Sequence, residues 1–522
     1  MKFTHPFSIY GLALVLFREN LENVQEVQTT MFEKYLEEGL NHFRLKATNT
    51  LDDEIINFEF SSTKNGDTSK GVYLAPNTLT SDYDASETWD AIETIRNNLK
   101  LNSDISRIHK EKFIIGNDKY KDCNLTMSIV PISGKINNGN ASQGYTKTSF
   151  LEFLCCAVTT STPLKPCFGY KEKRDSAPIP TAIIPDLTLD QMKVFIEFYN
   201  MMLDRNINKK KLLQKKVFRK EGQKPTFTRP PIYDGNFPYA PKNSAFGVVG
   251  LLGAIGRWGK EAGYSKKGEE VLESLKEKPL YLIQYGKAQS VTINHYIIDL
   301  AKENKLSDIV FAIQKSKLIH PFDETKQKDK KGIESRKEAF NLFSNRFLQL
   351  FNKSTFKDFL SIRAEYEPEL IELFNTFFMN EMNQIKIKKE VVQSALVLGK
   401  WLNQIAYFVG LKEANNQKKP HLKYELKAKC LVELESSIFG SRRPAEILNV
   451  ITRAGRLSGD SAPSESTIFQ EAFLTGEMSM EDAKSILMAF ARIRNPSQPK
   501  DTSNPSPQVL ENEDQEISDA SH

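Results

Sequence analysis

Apolar residues change their spacing along this 522-residue chain, and the change divides it in two. Phe7 to Phe17 is a nearly continuous apolar run that suits a buried helix. Val27, Met31, Tyr35, Leu40 and Phe43 recur at helical intervals across Val24 to Phe43. Ile56, Phe58 and Phe60 alternate with polar neighbours, as in a half-buried strand, and Leu125, Met127 and Ile129 repeat that pattern. Gly71 to Leu74, Phe113 to Ile115, Ala182 to Ile184 and Leu280 to Tyr285 are further strand candidates. Gly247, Gly250, Gly253, Gly256 and Gly259 fall on every third position. As a helix, this register would give one smooth face for another backbone; as a loop, it would expose amides.

After a charged break at Asp323 to Lys337 the period becomes helical throughout. Phe340, Phe343, Phe347 and Phe351 form one stripe, and Leu370, Phe374, Phe377 and Phe378 another. Ile387, Val391, Leu396, Leu398, Leu402, Ile405 and Val409 mark a longer helix. Pro444 suits the first position of a helix through Ile447, Leu448 and Ile451. Ser479 with Asp482 forms a capping pair ahead of Ala483, Ile486, Leu487 and Phe490. The predicted class is α+β. A mixed α/β domain covers residues 1–337 and an all-α helical bundle 338–494, and the Pro-, Ser- and acid-rich composition of 495–522 is that of a disordered tail.

Charge sharpens this division. The net charge is +5, but the last 28 residues hold six acids and one lysine, so residues 1–494 carry +10. Between Arg205 and Arg229 lie ten Lys or Arg residues and one acid, Glu221. The run leads into a proline-rich stretch with Phe227, Tyr233, Phe237 and Tyr239, so 205–242 reads as an extended basic insertion. Cations hold phosphates on irregular backbone and aromatics stack on bases. Lys209, Lys210, Lys211, Lys215, Lys216, Arg219 and Lys220 are therefore candidate nucleic-acid contacts, with a solvated linker as the bland alternative. The loop Ser133 to Thr148 offers Lys135, Asn137, Asn138, Asn140, Gln143 and Lys147, amides and cations suited to base edges and phosphates, or to an ordinary surface loop. Arg442, Arg443, Arg453 and Arg456 around the Pro444 helix are a phosphate track or a solvated face. Lys386, Lys388, Lys389, Lys418, Lys419, Lys423, Lys427 and Lys429 are open to the same two readings.

No catalytic constellation is legible. Gly259-Lys260 looks like the end of a phosphate loop, but Ala254 replaces its first glycine and Glu261 the metal-holding Ser or Thr. The seven histidines are scattered and form no metalloenzyme motif. The five cysteines fit neither a disulfide framework nor a metal knuckle, and Cys155-Cys156 sits in an apolar run. No cofactor is expected, and the protein reads as non-enzymatic. The longest glycine-apolar run, Ala245 to Gly256, is far short of the ~20 residues that span a bilayer, so no membrane partner and a cytoplasmic location are expected.

The opening HPFSIYGLALVL (His5 to Leu16), the segment PIPTAIIPDLTLDQMKVF (Pro178 to Phe195) and the order of mixed domain then helical bundle resemble the large subunit of type I CRISPR Cascade complexes. The Myxan-type, type I-B branch is the most similar; some of its systems are carried by CRISPR-associated transposons. The resemblance implies a non-catalytic subunit that binds guide RNA at its 5′ end and contacts the Cascade backbone. It also implies contact with the protospacer-adjacent motif of double-stranded target DNA and support for unwinding and R-loop formation. A transposition adaptor would be a further partner in the transposon-borne branch. An internally initiated small subunit starting at Met379 or Met382 is a further expectation. Two other functions stay open: an assembly scaffold without DNA readout, and a nuclease with a sequence-dispersed metal site.

Overall fold

The computed structural model describes residues 5–42, 44–48, 55–62, 79, 85–117, 119–125, 146–170, 179–204, 212–216, 231–233, 235–238, 240, 247–284, 287–293, 295–315, 317–318, 359–360, 364–379 and 387–495. They belong to two compact units, 1–314 with 328–362 and 315–327 with 363–522.

The first unit mixes helices with antiparallel sheets. Its helices are α1 (Pro6–Glu19), α2 (Phe32–Asn41), α3 (Ala85–Asn97), α4 (Ile105–Ile108), α5 (Phe150–Ser161), α6 (Leu189–Asp204), α7 (Gly247–Glu261), α8 (Ser265–Ser274), α9 (His295–Lys302) and α10 (Leu306–Lys315). The strands β1 (Arg44–Thr48), β2 (Ile55–Ser61) and β9 (Gln214–Lys216) form one sheet in the order β1-β2-β9. A second sheet runs β11-β10-β8-β7, from β7 (Cys167–Tyr170), β8 (Ile179–Pro185), β10 (Pro279–Gln284) and β11 (Lys287–Thr292). Two short ladders join β3 (Lys112–Ile115) to β4 (Lys119–Asp122) and β5 (Asn124–Leu125) to β6 (Thr146–Lys147).

Helix α1 forms where the apolar run predicted it. His5 caps its start, with Nδ1 accepting a hydrogen bond from the Phe7 N–H at 3.1 Å, and Asn20 ends it in the left-handed region at φ 56°. The helix packs on α5, α6 and β8. The two segments that carry the family resemblance are thus neighbours in the core. Glu152, a lone acid on the apolar helix α5, is buried because polar partners meet it there. It accepts from the His5 N–H at 3.0 Å and the Ser8 hydroxyl at 3.1 Å, and it bonds the Thr148 hydroxyl.

The expected helix over Val24 to Phe43 is shorter than its spacing suggested. Asn23 and Glu26 close a capping box on a 3₁₀ turn, a second turn follows at Thr29–Met31, and helix begins at Phe32. The glycine register is helical, in α7, but it does not make one face. Each three-residue step turns back about 60°, so five glycines sweep around the helix. A Cβ at Gly247 would strike the Phe168 ring, one at Gly256 would lie 1.9 Å from Ala301 O, and one at Gly259 faces Tyr264 O at 3.4 Å. Among the other strand candidates, Met127, Ile129 and Gly71–Leu74 lie outside the described residues, as does the Phe340–Phe351 stripe.

The second unit is helical: α11 (Leu370–Phe378), α12 (Lys389–Asn416), α13 (Lys423–Gly440), α14 (Pro444–Ser458), α15 (Thr467–Leu474) and α16 (Met480–Ala491). Helix α12 is the axis, packing on each of the other five. Ser479 caps α16 as expected, accepting from the Asp482 N–H at 3.1 Å. The unit is not purely helical. A short ladder pairs β12 (Lys317–Leu318) with β13 (Ala364–Glu365), and Tyr366 bridges Ile493 in parallel. The α+β class holds, with this ladder as the departure from an all-α bundle.

Candidate nucleic-acid interface

Helix α14 gathers four of the expected cations. Pro444 starts it, and Ile447, Ile451, Ala454 and Gly455 are its buried positions. That stripe leaves Arg453 and Arg456 exposed, three residues apart on the same side, with Arg442 and Arg443 exposed just before the helix. Pro444 to Arg456 spans about 18 Å of helical rise, with Arg442 and Arg443 just before it, so the four arginines extend over roughly six phosphates along one strand. None of the four arginines makes an ion pair among the described residues.

The electrostatics favour an anion here, although exposure to water keeps the cost of its absence small. A helix N-terminus carries partial positive charge, and Arg442 and Arg443 add two cations to it. Glu446 offsets part of this. Its carboxylate accepts from the Arg442 N–H at 2.6 Å, and that bond, with Arg443 beside it, holds the carboxyl below its usual range. From 442 to 458 the balance is four arginines against this one acid. Guanidinium forks suit phosphate oxygens, and the N–H groups of a helix start add to the attraction.

Other expected contacts are placed differently. Lys147 is exposed on β6, opposite Asn124. Lys215 and Lys216 lie on β9, opposite Ile56 and Ile55, in a different sheet. Their segment is therefore a sheet strand at this point rather than irregular chain. Lys135, Asn137, Asn138, Asn140, Gln143, Lys209, Lys210, Lys211, Arg219 and Lys220 lie outside the described residues.

The aromatic part of the 205–242 reading needs correcting at Phe237. That ring is buried, 1% exposed, and cannot stack on a base. Its neighbour Asn236 explains why. The Asn236 side chain accepts from the Cys167 N–H at 2.9 Å and the Tyr199 hydroxyl at 2.8 Å, and donates to the carbonyls of Lys165 at 2.8 Å and Pro163 at 3.2 Å. Four bonds saturate the amide and pin the segment to the core.

Lysines in the helical unit divide in the same way. Lys418, Lys419 and Lys429 are exposed. Lys388 pairs with Glu477 at 2.5 Å, which raises its pKa. Lys427 is buried and pairs with Glu365 at 2.5 Å; burial pushes its ammonium below the usual range while Glu365 pulls it up. It is structural, not a phosphate contact. Sequence reasoning also missed Arg492, fully buried and paired with Glu435, beside Tyr366. Lys427 and Glu435 share the buried side of α13 with Cys430, Leu431 and Ile438. Charges on an apolar stripe were the signal that could have revealed this network.

Chemistry elsewhere is muted. All five cysteines are free and buried, and burial pushes their thiols up, Cys123 and Cys167 to about 12 and Cys430 to about 11. Among the described residues no group of three His, Cys, Asp or Glu could hold a metal, and no helix is long and apolar enough to cross a membrane. Gly259 and Lys260 sit inside α7, so they form no phosphate loop.

A scan of protein-family models matches residues 5–494 to the family of CRISPR-associated protein Csp2. Searches of curated proteins and of solved structures found no match.

Proposed function

The chain belongs to the Csp2 family of CRISPR-associated proteins, and from that premise we propose that it is the non-catalytic large subunit of a type I Cascade complex. As a Cascade-type subunit it associates with guide RNA and with other Cascade subunits. The finer reading is that it contacts the guide's 5′ end, reads the protospacer-adjacent motif in duplex DNA and supports strand separation in the cytoplasm. The observation that carries the nucleic-acid part is the arginine face of α14, with four exposed guanidinium groups and no ion pair among the described residues. Base pairing with the guide would supply sequence specificity, and protein cations would hold backbone. The segments His5–Leu16 and Pro178–Phe195 favour the Myxan-type, type I-B branch, where a transposition adaptor would be a partner in transposon-borne systems.

An internally initiated small subunit starting at Met379 or Met382 would omit Glu365, Tyr366 and all of α11. Leu370, Leu373, Phe374, Phe377 and Phe378 of that helix are buried, and Glu365 is the partner of Lys427. Such a product would need a replacement for this helix from its neighbours in the complex.

The test is to purify the complex through this subunit, sequence its RNA, and challenge it with duplex targets carrying a randomised flanking motif. Uniform guide RNAs and retention of one motif are expected. Guide RNA with no motif preference would leave an assembly scaffold, and metal-dependent cleavage by the purified subunit would make it a nuclease.

A further inference from the structure

The acidic residues that follow the last helix have a counterpart on the structure. Five acids fall between Glu511 and Asp519, while the described chain ends at Asn495. The helix leading there, α16, starts beside the entry to α14: Lys484 Nζ lies 3.5 Å from Phe439 O, three residues before Arg442. From Lys484 to the end of α16 is about 10 Å of helical rise. Fifteen residues lie between Asn495 and Glu511, and the sixteen steps from one to the other span at most about 55 Å. The arginine face is well within that reach.

Guanidinium chemistry selects this face over the exposed Lys418, Lys419 and Lys429, which are point charges without a fork, and pairing removes other cations of the unit. Lys388, Lys427, Lys484 and Arg492 already have carboxylate partners. Arg442, Arg443, Arg453 and Arg456 have none among the described residues, and guanidinium forks fit carboxylates as well as phosphates. We propose that the segment Glu511–Asp519 docks on the arginine face of α14 and competes there with nucleic-acid phosphates. The docking stands on charge and reach alone; the competition rests on the nucleic-acid reading above. A tethered segment acts at about 1 mM, so a contact with a dissociation constant of about 0.2 mM would lower apparent nucleic-acid affinity roughly six-fold. Weak, non-cognate contacts would be suppressed while guided ones survive.

The full chain can report this directly. Because the native cysteines are buried, Thr452→Cys and Ser518→Cys can carry a pair of spin labels. Pulsed electron resonance at low salt should show a short-distance population. It should vanish in 1 M salt and in a variant whose five acids from Glu511 to Asp519 are amides. A labelled 30-base-pair duplex should displace it, and the amide variant should bind that duplex several-fold more tightly than the native tail. No short population, or one that persists in the amide variant, would overturn the docking whatever the DNA result. Equal DNA affinities with the short population present would overturn the competition. A short population with no DNA binding by either form, free or in the assembled complex, would instead overturn the nucleic-acid reading.

Discussion

Arg492 and Arg453 belong to the same helical unit and have opposite fates. Arg492 follows α16, is fully buried, pairs with Glu435 and lies beside Tyr366. Its neighbour Arg494 pairs with Glu367 at 3.0 Å, and their backbones clasp Tyr366 through two bonds of 2.8 Å. Arg453 sits on an outward face with Arg456, and no carboxylate among the described residues meets either. A buried guanidinium must be compensated within the fold, because desolvation is large. An exposed one need not be, so a cluster left without partners is available to an outside anion. What the fold supplies around each arginine, and not the residue type, separates structure from grip.

That contrast can be broken most sharply at the buried end. Arg492→Met should strand the Glu435 carboxylate and cost about 3–5 kcal/mol, read as a lower denaturant midpoint for the helical unit. Adding Glu435→Leu should recover most of the loss, since apolar replacement of both partners removes the unpaired charge. Failure of the double variant to recover would mean that Arg492 acts mainly through packing.

A smaller effect is expected in the first unit, where a buried lysine has no carboxylate partner among the described residues. Lys165 donates to the carbonyls of Thr160 at 2.9 Å and Thr162 at 2.7 Å, and burial pushes its pKa down to about 8. Below pH 8 both folded and unfolded chains hold the proton. Between pH 8 and the unfolded value of about 10.4, only the unfolded chain holds it, so stability should rise with pH. The raised thiols act in the opposite direction, so the informative quantity is a difference. Native protein should gain roughly 3 kcal/mol relative to Lys165→Met across that window, measured by denaturant unfolding at each pH. A constant difference would place the ammonium's pKa near its usual value, held by the two carbonyls.

The smallest stability effect should come from the outward arginines. Replacing Arg442, Arg443, Arg453 and Arg456 with Gln should change unfolding free energy by no more than about 0.5 kcal/mol per site. A larger loss would mean that they support the fold.

These differences trace what was legible in the sequence. The α1 helix, the Ser479 cap and the Pro444 start are local signals, and they survive folding because neighbours a few residues away decide them. Strands β2, β3, β8 and β10 were legible for the same reason. The arginine cluster was visible because one helix carries it. Glu435 and Arg492 meet across 57 residues, and Asn236 reaches back to Lys165 and Cys167, so no local pattern announced either contact. Phe237 looked like a stacking aromatic because prolines surround it, yet it is core. The glycine register misled through its period: three residues per step is close to a helical turn without completing one.

The central claim is that the outward arginines of α14 hold nucleic-acid backbone. Its most direct test is the salt dependence of duplex binding by the assembled complex, with native subunit and with all four arginines changed to Gln. Each lost phosphate contact should flatten the plot of log affinity against log salt by about 0.9, so the slope should fall by roughly 2–4. Two parallel lines with unchanged affinity would contradict the account and return α14 to a solvated face.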